Sequence, residues 1–383
     1  MSIGKRSLEL HRKMKGKISI KNNCDIQDAR DLSLVYTPGV ASSCLRIKEH
    51  PDEAYELTAK NNTVAVISDG SAVLGLGNIG PLAAIPVMEG KCAIFKRFAG
   101  LDAIPIVLAT QDTEEIIRTI TYLSPSFGGI NLEDISAPRC FEIERRLREA
   151  LEIPVFHDDQ HGTAIASGAA LINALKVVGK KLDRTRIVIN GAGSAGLAIA
   201  DFLLELGVNH LVVCDKYGII DEDDERLNEA QKRLAGRIGQ RRIRGKLRDA
   251  LIGADVLIGV SVGNVVDEGV IRKMGTDPIV FALANPNPEI SRDEALRGGA
   301  RIYGSGASDE PNQINNALVF PGLFKGLLSA RARRVTTRIE IAACQALARV
   351  VKDEDLDEDL IIADIFNEDV VRAVSEAVIG AVA

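Results

Sequence analysis

Arg186–Asp215 reads RIVINGAGSAGLAIADFLLELGVNHLVVCD, and this stretch decides the fold. A β-branched run, Arg186 to Asn190, leads through Gly191, Gly193 and Gly196 into an amphipathic helix, and a second strand, His210 to Asp215, closes on an acid. The GxGxxG spacing between strand and helix, with an acid roughly 20 residues further on, marks a dinucleotide-binding βαβ unit. Gly191 permits a tight turn, Gly193 lets backbone approach a pyrophosphate, and Gly196 lets helix and strand close on each other. Ser194 and Ala195 sit at the helix start, where N–H groups without intrahelical partners attract phosphate. Glycine-rich turns also occur without ligand; here the strand, the helix and the acid together favour the dinucleotide. Asp215 is expected to accept hydrogen bonds from the adenosine ribose and to repel a 2′-phosphate, favouring NAD over NADP, with Lys216 beside it able to soften the preference.

Outward from this unit, short apolar strands alternate with longer helical patterns from about Asn62 onward, so the chain reads as α/β with parallel sheets. Before the unit, strands are expected at Thr63–Ser68, Ile104–Ala109, Gly129–Leu132 and Pro154–His157; after it, at Asp255–Val260, Ile279–Leu283 and Ala300–Tyr303. Asp112 is placed to cap a helix over Thr113–Leu123, and Pro138 to start the helix of FEIERRLREAL. Near His157 an acidic knot, HDDQHG, runs into TAIASGAALINALKVVGKK, a Gly- and Ala-rich helix suited to close packing. The domain boundary is expected there. Residues 1–161 would form an N-terminal α/β substrate and metal domain, and residues 162–383 a Rossmann-type dinucleotide-binding domain with C-terminal helices from about Leu318. The acidic stretch DEDLDEDL is read as capping and solvating helix ends, and the basic cluster Arg241, Arg242, Arg244, Lys246 and Arg248 as a solvated helix face.

A length of 383 residues suits two or three domains with a substantial core. Hydrophobic residues at 46% and charged residues at 26% exclude a disordered or collagen-like chain. Lys plus Arg total 47 against 53 for Asp plus Glu, and the net charge of −6 offers no long-range attraction to nucleic acid or an anionic membrane. Six cysteines without a CxxC pair suggest neither a disulfide framework nor a zinc ribbon. Because MSIGKRSLELHRKMKGK also lacks a secretory apolar run, a cytoplasmic location is expected.

A dinucleotide domain implies redox chemistry, and the first half must then hold the substrate. Glu133 and Asp134 after GGINL, and Asp159 in FHDDQHG, are carboxylates at strand ends, the hard oxygen donors that Mg²⁺ or Mn²⁺ takes. The same residues also suit the plainer task of preceding or capping helices. His157 and His161 share the i, i+4 spacing of a zinc motif, but a strand precedes them and Asp stands where Glu is needed, which argues against zinc. Lys91, in PVMEGKCAIFKRFAG, lies between apolar stretches where burial would lower its pKa toward that of a general base; most lysines are only surface charges. Tyr36, in SLVYTPGVA, is either core or a proton donor facing a cleft, and local spacing does not choose.

Taken in order, YTPGVA, SDGSAVLGLGNIGPLAAIPVMEGK, GGINLEDI, FHDDQHGTA, GAGSAG, LANPNPEI and INNALVFPG resemble the malic enzymes of the short bacterial and archaeal type across nearly the whole chain. That resemblance implies oxidative decarboxylation of L-malate to pyruvate and carbon dioxide, with NAD or NADP and a divalent metal, in a homodimer. It further implies Lys91 as general base paired with Asp158, Tyr36 as general acid, Glu133, Asp134 and Asp159 as metal ligands, and Asn285 and Asn315 as malate contacts. One departure stands out: larger malic enzymes place a carboxylate-binding arginine where this chain has Ala72. Rival readings are malolactic conversion of malate to lactate with bound NAD, a hydroxyacid dehydrogenase without decarboxylation, and a non-catalytic nucleotide sensor. The second needs no set of three carboxylates, and the third would be expected to have lost some of Tyr36, Lys91 and the carboxylates.

Overall fold

The computed structural model describes residues 3–73, 75–239 and 244–382. Two sheets carry the molecule. The first holds β1 (Thr63–Ser68), β2 (Asp102–Val107), β3 (Gly129–Leu132) and β4 (Val155–His157) in the order β2-β1-β3-β4, all parallel. The second holds β5 (Arg186–Asn190), β6 (His210–Asp215), β7 (Gly218–Ile219), β8 (Val256–Gly259), β9 (Ile279–Ala282) and β10 (Ile302–Ser305) in the order β10-β9-β8-β5-β6-β7. Only β7 runs antiparallel, against β6, and it is too short to show as a periodic signal in the sequence. Each sheet reverses direction once, between β1 and β3 in the first and between β5 and β8 in the second. At such switch points the loops leaving the carboxyl ends part and open a crevice.

Strand boundaries follow pairing more than propensity. β2 begins at Asp102, opposite Thr63, two residues earlier than the apolar run suggests. β10 begins at Ile302 because the Ala300 N–H closes the preceding helix on the Ala295 carbonyl (3.0 Å). The Asp112 side chain caps Thr113–Leu123 by accepting from the Glu115 N–H (2.9 Å).

Between the sheets lies the helix Thr163–Val177, buried along most of its length and rich in Ala and Gly. A side chain at Gly168 would press within 2.8 Å of the Phe202 ring, so the small residue sets the approach of the helix Ser194–Glu205. The core is continuous across both sheets. Phe95 and Phe156, from the first sheet's half, meet Phe320 and Phe324 of the C-terminal helix Phe320–Ser329, with the Phe95 and Phe320 ring centres 4.7 Å apart.

Two surface expectations are corrected, the second in part. The acidic stretch does not cap helices; its acids pair outward, Asp353 with Lys176 (2.7 Å), Asp359 with Arg292 (2.8 Å) and Glu358 with Arg301, tying the C-terminal segment to the second sheet's helices and edge. Of the basic residues, Arg248 lies exposed on a short helix. Arg241 and Arg242 lie outside the described residues; Arg244 and Lys246 precede the short helix Leu247–Ala250, because the Gly245 carbonyl accepts the Ile219 N–H (3.0 Å) and holds this stretch against β7. Among the described residues no helix is long and apolar enough to cross a membrane.

Candidate active site

The carboxyl ends of both sheets face one cleft of about 450 Å³. From the first sheet come Ala72, after β1, Asp134, after β3, and Asp159, after β4; from the second come Gly193, Ser194 and Ala195, after β5, and Val260–Gly263, after β8. Asn285 and Asn315 also stand on the wall, and among the described residues no Lys or Arg lines it. This side of the wall offers amides and backbone, and at position 72 only a methyl group.

On the first sheet's side the charges are crowded and buried. Oxygen atoms of Glu133, Asp134 and Asp159 all lie within 4.8 Å of one another, a spacing one divalent cation would span. Asp134 turns in the left-handed region (φ 54°), which Asp tolerates better than most residues, and its N–H donates to Asp159 Oδ2 (2.8 Å). Behind this group, Lys91 Nζ donates to Glu133 Oε1 (2.6 Å) and to Asp158 Oδ2, and sits 4.5 Å above the centre of the Phe320 ring.

Burial pushes the Lys91 ammonium down, but Asp158, Glu133 and Asp159 together outweigh it and hold the group above its ordinary range. Burial thus acts on Lys91 in the expected direction, but three carboxylates from distant segments surround it and the net direction is upward. Burial in turn pushes the Asp158 carboxyl up to about 7 despite the ammonium beside it. Glu133 and Asp159 are raised as well, by burial and by neighbouring carboxylates. Four acids around one lysine leave excess negative charge in a dry place, and this donor set fits a hard divalent cation.

The second sheet's side works with backbone. Gly191 lies at φ +124°, and a side chain there would press within 2.6 Å of the Val260 carbonyl oxygen; one at Gly196 would overlap the Gly191 carbonyl oxygen. Gly193 faces open space, and the helix it precedes has no side-chain cap, so its first N–H groups are turned to the cleft. These features fit a pyrophosphate. Asp215 closes β6, with Oδ1 accepting the N–H groups of Tyr217 (2.7 Å) and Gly218 (3.0 Å). Asn315 Oδ1 accepts the Ala317 N–H (2.8 Å).

Not every predicted residue is on the cleft wall: Lys91, Glu133, Gly191, Gly196 and Asp215 are not, nor is Tyr36. Tyr36 ends the helix Ala29–Val35, is 67% exposed and is absent from the cleft wall. The two histidines of HDDQH do not converge on one point: the His161 ring lies between Glu144 (3.0 Å) and Glu340 (3.3 Å), and that of His157 is 3.8 Å from Asp159. Burial lowers His157 to about 4, while Glu144 and Glu340 offset burial at His161 and bring it up to about 9.

Glu144 and Glu289 are among the buried acids that escaped the sequence reading. Glu144 lies on the apolar stripe of the helix Arg139–Ala150 with Cys140, Ile143 and Leu147, and a charge at that register was the available signal. Glu289 accepts the N–H groups of Ser261 (2.8 Å) and Ala284 (3.1 Å), joining the loops after β8 and β9; it stands in LANPNPEI, where only Asn285 drew notice.

Two α/β sheets sharing a cleft, one side carboxylate-rich and the other built for a dinucleotide, define a dinucleotide-dependent oxidoreductase. Residues 15–148 match the model of the malic enzyme N-terminal domain, and residues 160–383 that of the malic enzyme NAD binding domain. The chain belongs to the malic enzyme family. A Geobacillus stearothermophilus protein named NAD-dependent malic enzyme is 50% identical over 381 residues, covering 100% of this chain and 79% of its own. One from Bacillus subtilis (strain 168), named bifunctional malic/malolactic enzyme, is 48% identical over 379 residues, covering 99% and 92%. The crystal structure of the Thermotoga maritima NAD-dependent malic enzyme superposes with a TM-score of 0.94 at 48% identity, covering 98% of this chain and 99% of that one.

Proposed function

We propose that this chain oxidatively decarboxylates L-malate to pyruvate and carbon dioxide while reducing NAD, or less readily NADP. The observation that carries this reading is the single cleft in which the Glu133, Asp134 and Asp159 group, with Lys91 behind it, faces the uncapped helix start at Gly193–Ala195. Residues 1–161 would supply the substrate and metal side and residues 162–383 the dinucleotide side.

Asn285 and Asn315 would orient malate in the cleft. Lys91, as the neutral amine, would take the C2 hydroxyl proton; once Glu133 and Asp159 are engaged elsewhere, two of the three charges that hold it protonated fall away and Asp158 remains as its partner. Glu133, Asp134 and Asp159 would hold Mg²⁺ or Mn²⁺, which would supply Lewis-acid stabilisation of developing negative charge, and the dinucleotide would supply the hydride acceptor. Gly191, Gly193, Ser194, Ala195 and Gly196 would cradle the pyrophosphate, and Asp215 the ribose. Tyr36 would return a proton to C3.

Because Tyr36 lies outside this chain's own cleft, that role requires a second copy or a movement of the N-terminal segment. We favour a homodimer: residues 3–62 bury no side chain, and Leu34, Leu45 and Ile20 stand exposed. Six free thiols accord with a cytoplasmic location.

The test is incubation of the purified protein with L-malate, Mn²⁺ and NAD or NADP in parallel, following reduced cofactor, pyruvate, lactate and oxaloacetate. Equal yields of pyruvate and reduced cofactor, abolished by a chelator, are expected. Lactate without accumulating NADH would move the assignment to malolactic chemistry, the second activity in the name of the Bacillus subtilis relative. No turnover despite bound NAD would leave a sensor.

A further inference from the structure

The turn that carries Asp158 and Asp159 stands between two clefts. Asp159 lines the one described above; Gln160 and His161 line a second, of about 1180 Å³, on the other side. β4 is only three residues long and the π-helical turn Asp158–Gly162 follows directly, so the backbone ladder alone holds this acidic turn weakly. Lys91 holds the Asp158 carboxylate and the Asp134 N–H that of Asp159; a further constraint, on the turn itself, is Glu144. Its Oε1 accepts the His157 N–H (3.1 Å), and its Oε2 takes Gln160 Nε2 (3.3 Å) and His161 Nε2 (3.0 Å), so both ends of the turn are bound to one carboxylate. Arg148 lies 3.6 Å from the same group. From the other side of the domain boundary, Glu340 of the helix Thr337–Ala348 reaches His161 Nδ1 (3.3 Å).

We propose that Glu144 is a positioning residue for the metal side of the site: by gripping the backbone at His157 and the side chains of Gln160 and His161, it sets where the Asp158 and Asp159 carboxylates stand. Its own carboxylate is engaged by the turn and is absent from the cleft wall, so it acts only through the turn. Glu340, through His161, then registers that turn against the C-terminal helices. A carboxylate left without such support samples several orientations and loses cation affinity, as removal of outer-shell partners of metal ligands does elsewhere. The inference rests on the metal reading of Glu133, Asp134 and Asp159.

The test measures Mn²⁺ binding to the full chain without substrate, from the electron paramagnetic resonance signal of free Mn²⁺, alongside NAD binding and the thermal midpoint. Glu144→Gln keeps the shape and one acceptor but loses the charge. It is expected to bind Mn²⁺ about 10-fold or more weakly, with NAD binding unchanged, whereas a general loss of structure would weaken both. Asp159→Asn serves as the reference. If Asp159→Asn binds Mn²⁺ as the unaltered chain does, the metal reading itself falls, and this inference with it. Should Asp159→Asn lose Mn²⁺ while Glu144→Gln binds it normally, the positioning role alone is overturned. If Glu144→Gln does not fold, His161→Gln removes one of the three grips, and a normal Mn²⁺ affinity in that variant overturns the proposal equally.

Discussion

At the ends of β3 and β4, Lys91, Glu133, Asp134 and Asp158 are all buried within reach of Asp159, whereas the ends of β5 and β8 present glycines, small side chains and bare N–H groups. Both regions prepare for a charged ligand, by opposite means. The first concentrates negative side chains out of water, a costly arrangement that a cation relieves. The second removes side chains so that backbone dipoles reach a phosphate, and it carries little charge of its own.

The sharpest way to break this comparison is at Lys91, the lone cation among four acids. Lys91→Ala should lower malate turnover by roughly 10²–10⁴-fold, the range of a general acid–base group, while NADH titration by cofactor fluorescence stays near normal. Retained turnover would remove Lys91 as the base. On the backbone side, Gly196→Ala places a methyl on the Gly191 carbonyl oxygen. It should destabilise the chain at or above the upper end of the ~1–3 kcal/mol typical of overpacking, seen in denaturant unfolding, and lose NAD affinity.

Ligand addition separates the sides further. Mn²⁺ at about a hundredfold excess over its dissociation constant should stabilise the protein by about 2.7 kcal/mol, and Asp159→Ala should cancel that gain in thermal melts; an unchanged gain would place the cation elsewhere. The smallest effect belongs to Asp215→Ala, expected to weaken NAD by about tenfold, or ~1.4 kcal/mol, and NADP less. Equal losses for both would show that another group reads the ribose.

Of the site, the dinucleotide side was legible because its parts are contiguous: Gly191 through Asp215 lie on one strand, turn, helix and strand, and Gly191 and Gly196 each answer to a clash, with the loop after β8 and within that unit, while Gly193 leaves open space. The charged side was legible only as residue types. That Lys91 contacts Glu133 and Asp158, 42 and 67 residues away, and that their charges outweigh its burial, depends on the order β2-β1-β3-β4. The exposure of Tyr36 is likewise a matter of which surfaces the N-terminal segment meets.

What the sequence by itself determined is therefore local: the α/β class, the Asp112 cap, the turn at Gly191–Gly196 and most strand positions, since periodicity, capping and steric demand act over a few residues. Tertiary structure alone decided the protonation of Lys91, the partners of His157 and His161, and the burial of Glu144. Those are sums of Coulomb, desolvation and packing contributions from segments that meet only when both sheets close on the helix Thr163–Val177.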